Sequence, residues 1–158
     1  MNWRVLSIGA AAVGSGLLGG VLFAFSSFVM PALRRTPAPI GISAMQSINR
    51  QATTFAFGAL MAVTVLLAAG TGVHALARRE QPGAAWVGAG TLAILAAVAV
   101  TGAVNVPRND RLATFDAATP AAADYWATYL SEWVVANHVR TACCVVATAA
   151  YALALRAR

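Results

Sequence analysis

The sequence predicts an all-α protein, a four-helix transmembrane bundle, and three observations lead there. Of its 158 residues, 59% are hydrophobic and only 10% are charged, against roughly 25% charged in an average soluble domain. The mean hydropathy is +0.70. So few charges cannot cover the apolar surface of a water-soluble globule, and lipid is the expected solvent. The apolar residues also fall into four stretches long enough for a helix to cross a ~30 Å hydrocarbon core, and none of them alternates as a strand would. By length the chain reads as a single integral membrane domain with spans at about 5–33, 52–77, 84–106 and 133–155.

The first span follows Arg4 and has the look of a signal segment, but its length far exceeds the 7–15 residues of a signal core; it reads as a mature helix. Ala12, Gly16 and Gly20 in this span, and Gly58 with Ala62 in the second, recur every four residues and suit close helix packing in lipid. Residues 78–83 are too few for more than a tight turn, with Pro82 and Gly83 breaking the helix. The other two connections, 34–51 and 107–132, lie on the opposite side and are longer. They should be ordered, partly helical and packed over the helix ends. Pro107 is expected to close the third span, with Asn109 and Asp110 supplying turn or cap chemistry. Thr119-Pro120 is a fitting start for a helix running into the fourth.

All eleven basic residues are arginines, and they stand singly or in pairs at the ends of apolar runs. No basic patch of the nucleic-acid type exists. Arg4, Arg78, Arg79, Arg156 and Arg158 lie on the turn side, against Arg34, Arg35, Arg50, Arg108, Arg111 and Arg140 on the loop side. With Arg50 and Arg140 set aside as intrahelical, the balance leans toward cytoplasmic termini in a plasma-membrane protein.

The fourth span is the most informative. Too few residues follow Arg140 to cross a bilayer, so the helix begins earlier and carries Asn137, His138 and Arg140 at or inside the interface. Ionisable groups there usually face a bundle interior or a wet cavity. At 100° per residue, Trp126, Leu130, Trp133, Asn137 and Arg140 share a sector of about 80°, with Tyr129 on its edge. Indole, phenol, amide and guanidinium groups on one stripe suit a flat, oxygen-bearing ligand. The same residues also suit an interfacial aromatic belt with a snorkelling arginine. Gln46, Asn49 or Arg50, Thr53 and Phe57 continue one face toward the same side, and Asn105 and Asn109 end the third span there. A polar cluster between these helix ends is expected.

His74 and His138 are too far apart to share a metal within one chain, and no metal-type motif occurs. Cys143 and Cys144 are adjacent and cannot bridge each other. His138 points roughly 120° from the centre of the stripe.

The runs Phe25-Ser26-Ser27-Phe28-Val29-Met30-Pro31-Ala32-Leu33, Met45-Gln46-x-x-Asn49, Asn105-Val106-Pro107-x-Asn109-Asp110-x-Leu112 and Trp133-x-x-x-Asn137-His138-x-Arg140-Thr141 resemble the anthrone oxygenase-like family of small four-helix membrane proteins. The resemblance covers nearly the whole chain. It implies oxidation of a flat phenolic or polyketide-type molecule with O2 and no cofactor. Trp126 and Trp133 would then stack the rings, with Gln46, Asn49, Arg50, Asn105 and Asn109 as further binding residues. Arg140 with Asn137 or Asn49 would hold an oxyanion, and His138 or Asp110 would take the proton. Expected partners are membrane lipid and a hydrophobic small molecule, with no nucleic acid; a homo-oligomer stays open. Two other classes also stay open: a haem or metal protein built on His138, alone or with that of a second copy, and a non-catalytic membrane subunit that buries the stripe against another protein.

Overall fold

A computed structural model of the chain describes residues 3–52 and 55–157. Thr53, expected on the polar face of the second span, and Arg158, counted on the turn side, lie outside the described residues. The fold is an all-α bundle: α1 Trp3–Arg34, α2 Ala38–Ala52, α3 Phe55–Ala77, α4 Ala84–Ala113 and α5 Pro120–Arg156. Helices α1, α3, α4 and α5 are each long and apolar enough to cross a membrane, so the chain is an integral membrane protein. Helix α2 is amphipathic and lies across the loop-side ends, burying Gly41, Ile42 and Met45.

Helix α5 is the central element, packed along both α1 and α4, while α3 packs on α1 and α4 across from it. Its 37 residues rise about 55 Å, well beyond the ~20 residues a crossing needs. The excess forms the wall of the loop-side cap. Thr119 caps this helix as expected, its hydroxyl accepting from the Ala122 N–H at 3.3 Å. The small-residue seam is displaced from its expected register. Ala12 is half-buried and Gly16 and Gly20 are exposed, while Ala11, Gly14, Ser15 and Gly19 face the bundle. A step of one position turns a helix by 100°, and the buried set includes Ser15, whose hydroxyl is satisfied by the Ala11 carbonyl at 2.7 Å.

Pro107 does not close its helix. In both α1 and α4 the α-turns widen to a single π-turn, Phe25–Val29 and Thr101–Asn105, just before Pro31 and Pro107. The N–H of Met30 bonds the Phe25 carbonyl, and that of Val106 bonds the Thr101 carbonyl. A proline lacks the N–H for the preceding turn and crowds the carbonyl four residues back. The wider turn absorbs both defects, so α1 continues to Arg34 and α4 to Ala113.

Two cores result. Ile8, Ala11, Leu18, Leu22, Ala68, Ile94 and Tyr151 fill the turn-side half, and Met30, Ile42, Met45, Leu112, Trp126, Tyr129 and Trp133 fill the loop-side cap. At the turn, Gly83 has φ +80°, a region costing other residues about 1–2 kcal/mol, and a Cβ there would meet the Ala154 carbonyl oxygen at 2.8 Å. Gly83→Ala is therefore expected to lower the melting temperature while leaving ligand affinity intact, since the cavity lies at the other end of the bundle. Thermal unfolding beside ligand titration checks both.

Candidate functional site

Between the two cores lies a cavity of about 160 Å³. Five helices line it: α1 through Leu22 and Phe25, α2 through Met45 and Asn49, α3 through Phe57 and Met61, α4 through Thr101, Asn105 and Asn109, and α5 through Trp133 and Arg140. It lies where the loop-side turns of α3 are not buried in the bundle; along that helix Thr64 is the first residue described as buried. Both π-turns deliver wall residues, Phe25 from one and Thr101 with Asn105 from the other. Such single π-turns are frequent at functional sites because they re-aim side chains within an otherwise regular helix.

The wall is mostly apolar, with a few polar groups that are left wanting. Asn105 is 1% exposed; its amide donates to the Trp133 carbonyl at 3.3 Å, but its Oδ1 has no partner. Asn49 Nδ2 and Arg140 Nε are likewise buried without one. Arg140 is 8% exposed and forms no salt bridge with a described residue. A buried guanidinium without a counter-charge is costly, and groups of this kind mark sites where a ligand supplies the missing partner.

Six of the residues singled out from sequence meet at this cavity: Asn49, Phe57, Asn105, Asn109, Trp133 and Arg140. Asn109 is already engaged, its Oδ1 accepting from the Tyr129 hydroxyl at 2.8 Å and from the Trp133 indole at 2.9 Å. Trp133 thus offers a ligand its ring face but not its N–H.

The others stand elsewhere. Trp126 is not the second jaw of a ring clamp, because Tyr129 fills the space between the two indoles, stacked 5.3 Å from Trp126 and 6.0 Å from Trp133. Trp126 belongs to the packed cap. Asn137 turns from the cavity toward α1, where its amide donates to the Leu22 carbonyl at 2.7 Å and Ser26 Oγ at 2.8 Å. It pins the π-turn that carries Phe25. Gln46 donates to the carbonyls of Leu112 and Phe115 at 2.9 and 3.0 Å, satisfying the end of α4 and tying α2 over it. Arg50, Asp110 and His138 are exposed and do not line the cavity. His138 follows Asn137 by 100° of helix rotation and faces outward, and His74 sits at the turn end, edge-on to Trp3 at 4.8 Å. No base of the His or carboxylate type lines the cavity among the described residues.

Sequence reasoning missed Phe25, Met45, Met61 and Thr101 as wall residues. Phe25 and Met45 stand in the family-like runs, but only the π-turn geometry aims Phe25 inward, its ring 5.9 Å from that of Trp133.

The family model for anthrone oxygenase matches residues 43–150, a stretch that carries most of α2 through most of α5 and with them Asn49, Asn105, Asn109, Trp133 and Arg140. The chain belongs to the anthrone oxygenase family. No curated protein and no solved structure matches it. In this family member, an oxygenase-like function at family level thus coincides with an apolar cavity whose wall holds a cation without an acidic partner among the described residues.

Proposed function

We propose that this anthrone oxygenase family protein oxidises a flat, hydrophobic phenolic or anthrone-type molecule with O2, using no cofactor, in the cavity under α2. The observation that carries the reading is buried Arg140 without a described acidic partner, beside the orphaned Asn49 Nδ2 and Asn105 Oδ1. A neutral apolar ligand would leave that charge unpaired. A ligand whose oxygen becomes anionic completes it.

A cavity of 160 Å³ resembles in size one of about 150 Å³ that takes up benzene. The oxygen-bearing ring fits against Phe25 and Trp133, and a fused ring system extends beyond this volume. Asn105 Oδ1 accepts from a phenolic O–H, and Asn49 and Arg140 donate to the oxyanion. The activated methylene loses its proton to a water admitted to the cavity, because no histidine or carboxylate lines the wall among the described residues. The resulting enolate passes one electron to O2, and the carbon radical and superoxide join in a C–O bond. The peroxide takes up a proton; loss of water, with cleavage of the O–O and C–H bonds, leaves the quinone carbonyl. The balance is substrate plus O2 giving quinone plus water.

We place the protein in the plasma membrane with both termini cytoplasmic, on the balance of arginines between the two sides. The reading is tested with purified protein in detergent, by O2 uptake over a panel of anthrones and phenols, beside a visible spectrum and metal analysis. Turnover is expected without a haem spectrum or stoichiometric metal, and should rise with pH along the substrate's own ionisation, with no inflexion near the histidine value of about 6.5. Absence of both binding and turnover across the panel, or turnover that requires a bound metal or haem, overturns it.

A further inference from the structure

Deeper in the bundle, on the far side of Arg140 from α2, lies a second and much smaller space of about 20 Å³. Its wall includes Leu18, Val65, Ile94, Ala97 and Cys144, and it shares Leu22, Phe57, Met61, Thr101 and Arg140 with the main cavity. A water needs roughly 10–15 Å³ and two to four polar partners. Here the Thr101 hydroxyl is already spent on the Ala97 carbonyl at 2.7 Å, which leaves Arg140 as the main polar group. The space suits a small apolar molecule better than water.

On its other side, the pouch shares Met61, Val65, Val98 and Thr101 with an apolar groove of about 450 Å³ between α3 and α4. That groove opens where lipid would lie, and Gly102 in its wall has nothing within 4 Å of where a Cβ would stand. O2 partitions from water into hydrocarbon, so the acyl chains behind this seam are an O2 source separated from the pouch only by the side chains that the two spaces share.

We infer that this pouch is a dioxygen subsite, fed from the lipid through the α3–α4 seam and set against Arg140. The inference rests on the oxygenase reading proposed for the main cavity. It gives Arg140 a second role, because the negative charge that develops on oxygen as O2 accepts an electron from the enolate lies beside the same guanidinium. Binding itself makes and breaks no bond.

The direct test needs no turnover. Purified wild-type protein with labelled methyl groups is placed under O2 pressure, and paramagnetic relaxation is compared between Ile94 and Leu18 at the pouch and Ala68 and Ala147, which stand within a turn of the pouch residues Val65 and Cys144 without lining it. Ile94, Ala68 and Ala147 are 2%, 0% and 0% exposed and lie at similar depth, so micellar O2 alone would affect them alike. Enhanced relaxation at Ile94 and Leu18 is expected, and relaxation equal to the controls overturns the subsite. Ala97→Leu should remove the enhancement and raise KM for O2 by about tenfold with substrate affinity unchanged; Ala97→Val serves if the larger side chain does not fold. Turnover with unchanged KM for O2 in a folded, filled variant overturns the inference alone. Localised O2 relaxation in a protein inactive on the whole panel overturns the substrate reading alone.

Discussion

Arg140→Met is expected to lower kcat/KM by about 10²–10³-fold, the usual cost of removing a principal oxyanion donor, while the melting temperature holds or rises. The two effects separate because the guanidinium is buried at the cavity wall with its Nε unpartnered. Its desolvation weighs against the folded state, and replacing an uncompensated buried ion with an apolar chain of similar length is neutral or stabilising. Arg140→Lys should recover only part of the activity, because an ammonium lacks the planar fork that serves two acceptors at once. Steady-state O2 uptake and thermal unfolding in the same detergent check this. Turnover within a few-fold of wild type would assign the residue to packing or snorkelling instead.

Asn137→Ala is expected to do the reverse, with the larger effect on stability. Its amide is the donor to Leu22 and Ser26 across the α1–α5 contact, and the residue is 0% exposed. Leaving such acceptors unpaired costs about 1–3 kcal/mol in general, and interhelical bonds measured in membranes average about 0.6 kcal/mol with a maximum near 1.7 kcal/mol. For a chain of this size each kcal/mol moves the melting temperature by about 2–4 °C, so a fall of roughly 2–6 °C is expected. Ser26→Ala removes one of the two bonds and should have a smaller effect, not additive with the first because they share a partner. An unchanged melting temperature together with activity lost as in Arg140→Met would return Asn137 to the ligand.

The polar content of the site was legible because membrane helices tolerate few polar residues, so each Asn or Arg within or beside a span stands out against an apolar background. Asn49, Asn105, Asn109 and Arg140 were found that way and Trp133 by its place on the stripe, and all five line one cavity. Periodicity placed Asn137 and Arg140 on the same side of α5, but it could not tell which neighbour each meets. Asn137 reaches α1, while Arg140, one turn nearer the membrane centre, reaches the cavity. Trp126 and Trp133 likewise share a face, and the ring between them, Tyr129, was assigned only to its edge. Real side chains lean along the helix and stack, so the edge position became the filled one.

The amino-acid sequence by itself determined the solvent and the architecture: composition requires lipid, and four long apolar runs with no alternation require a helical bundle, because lipid leaves no other partner for backbone polar groups. It also determined that the polar residues gather on the side of the long connections. The tertiary structure alone decided that Pro107, expected to close its span, lies within a continuing helix, since a proline's effect depends on whether the preceding turn can widen into a π-turn. It alone decided that a cavity is left beside the loop-side turns of α3, and that Arg140 enters its wall while His138, Asp110 and Arg50 remain outside. Those outcomes depend on how five helices share space, and spacing along one helix carries no information about the distance to the next.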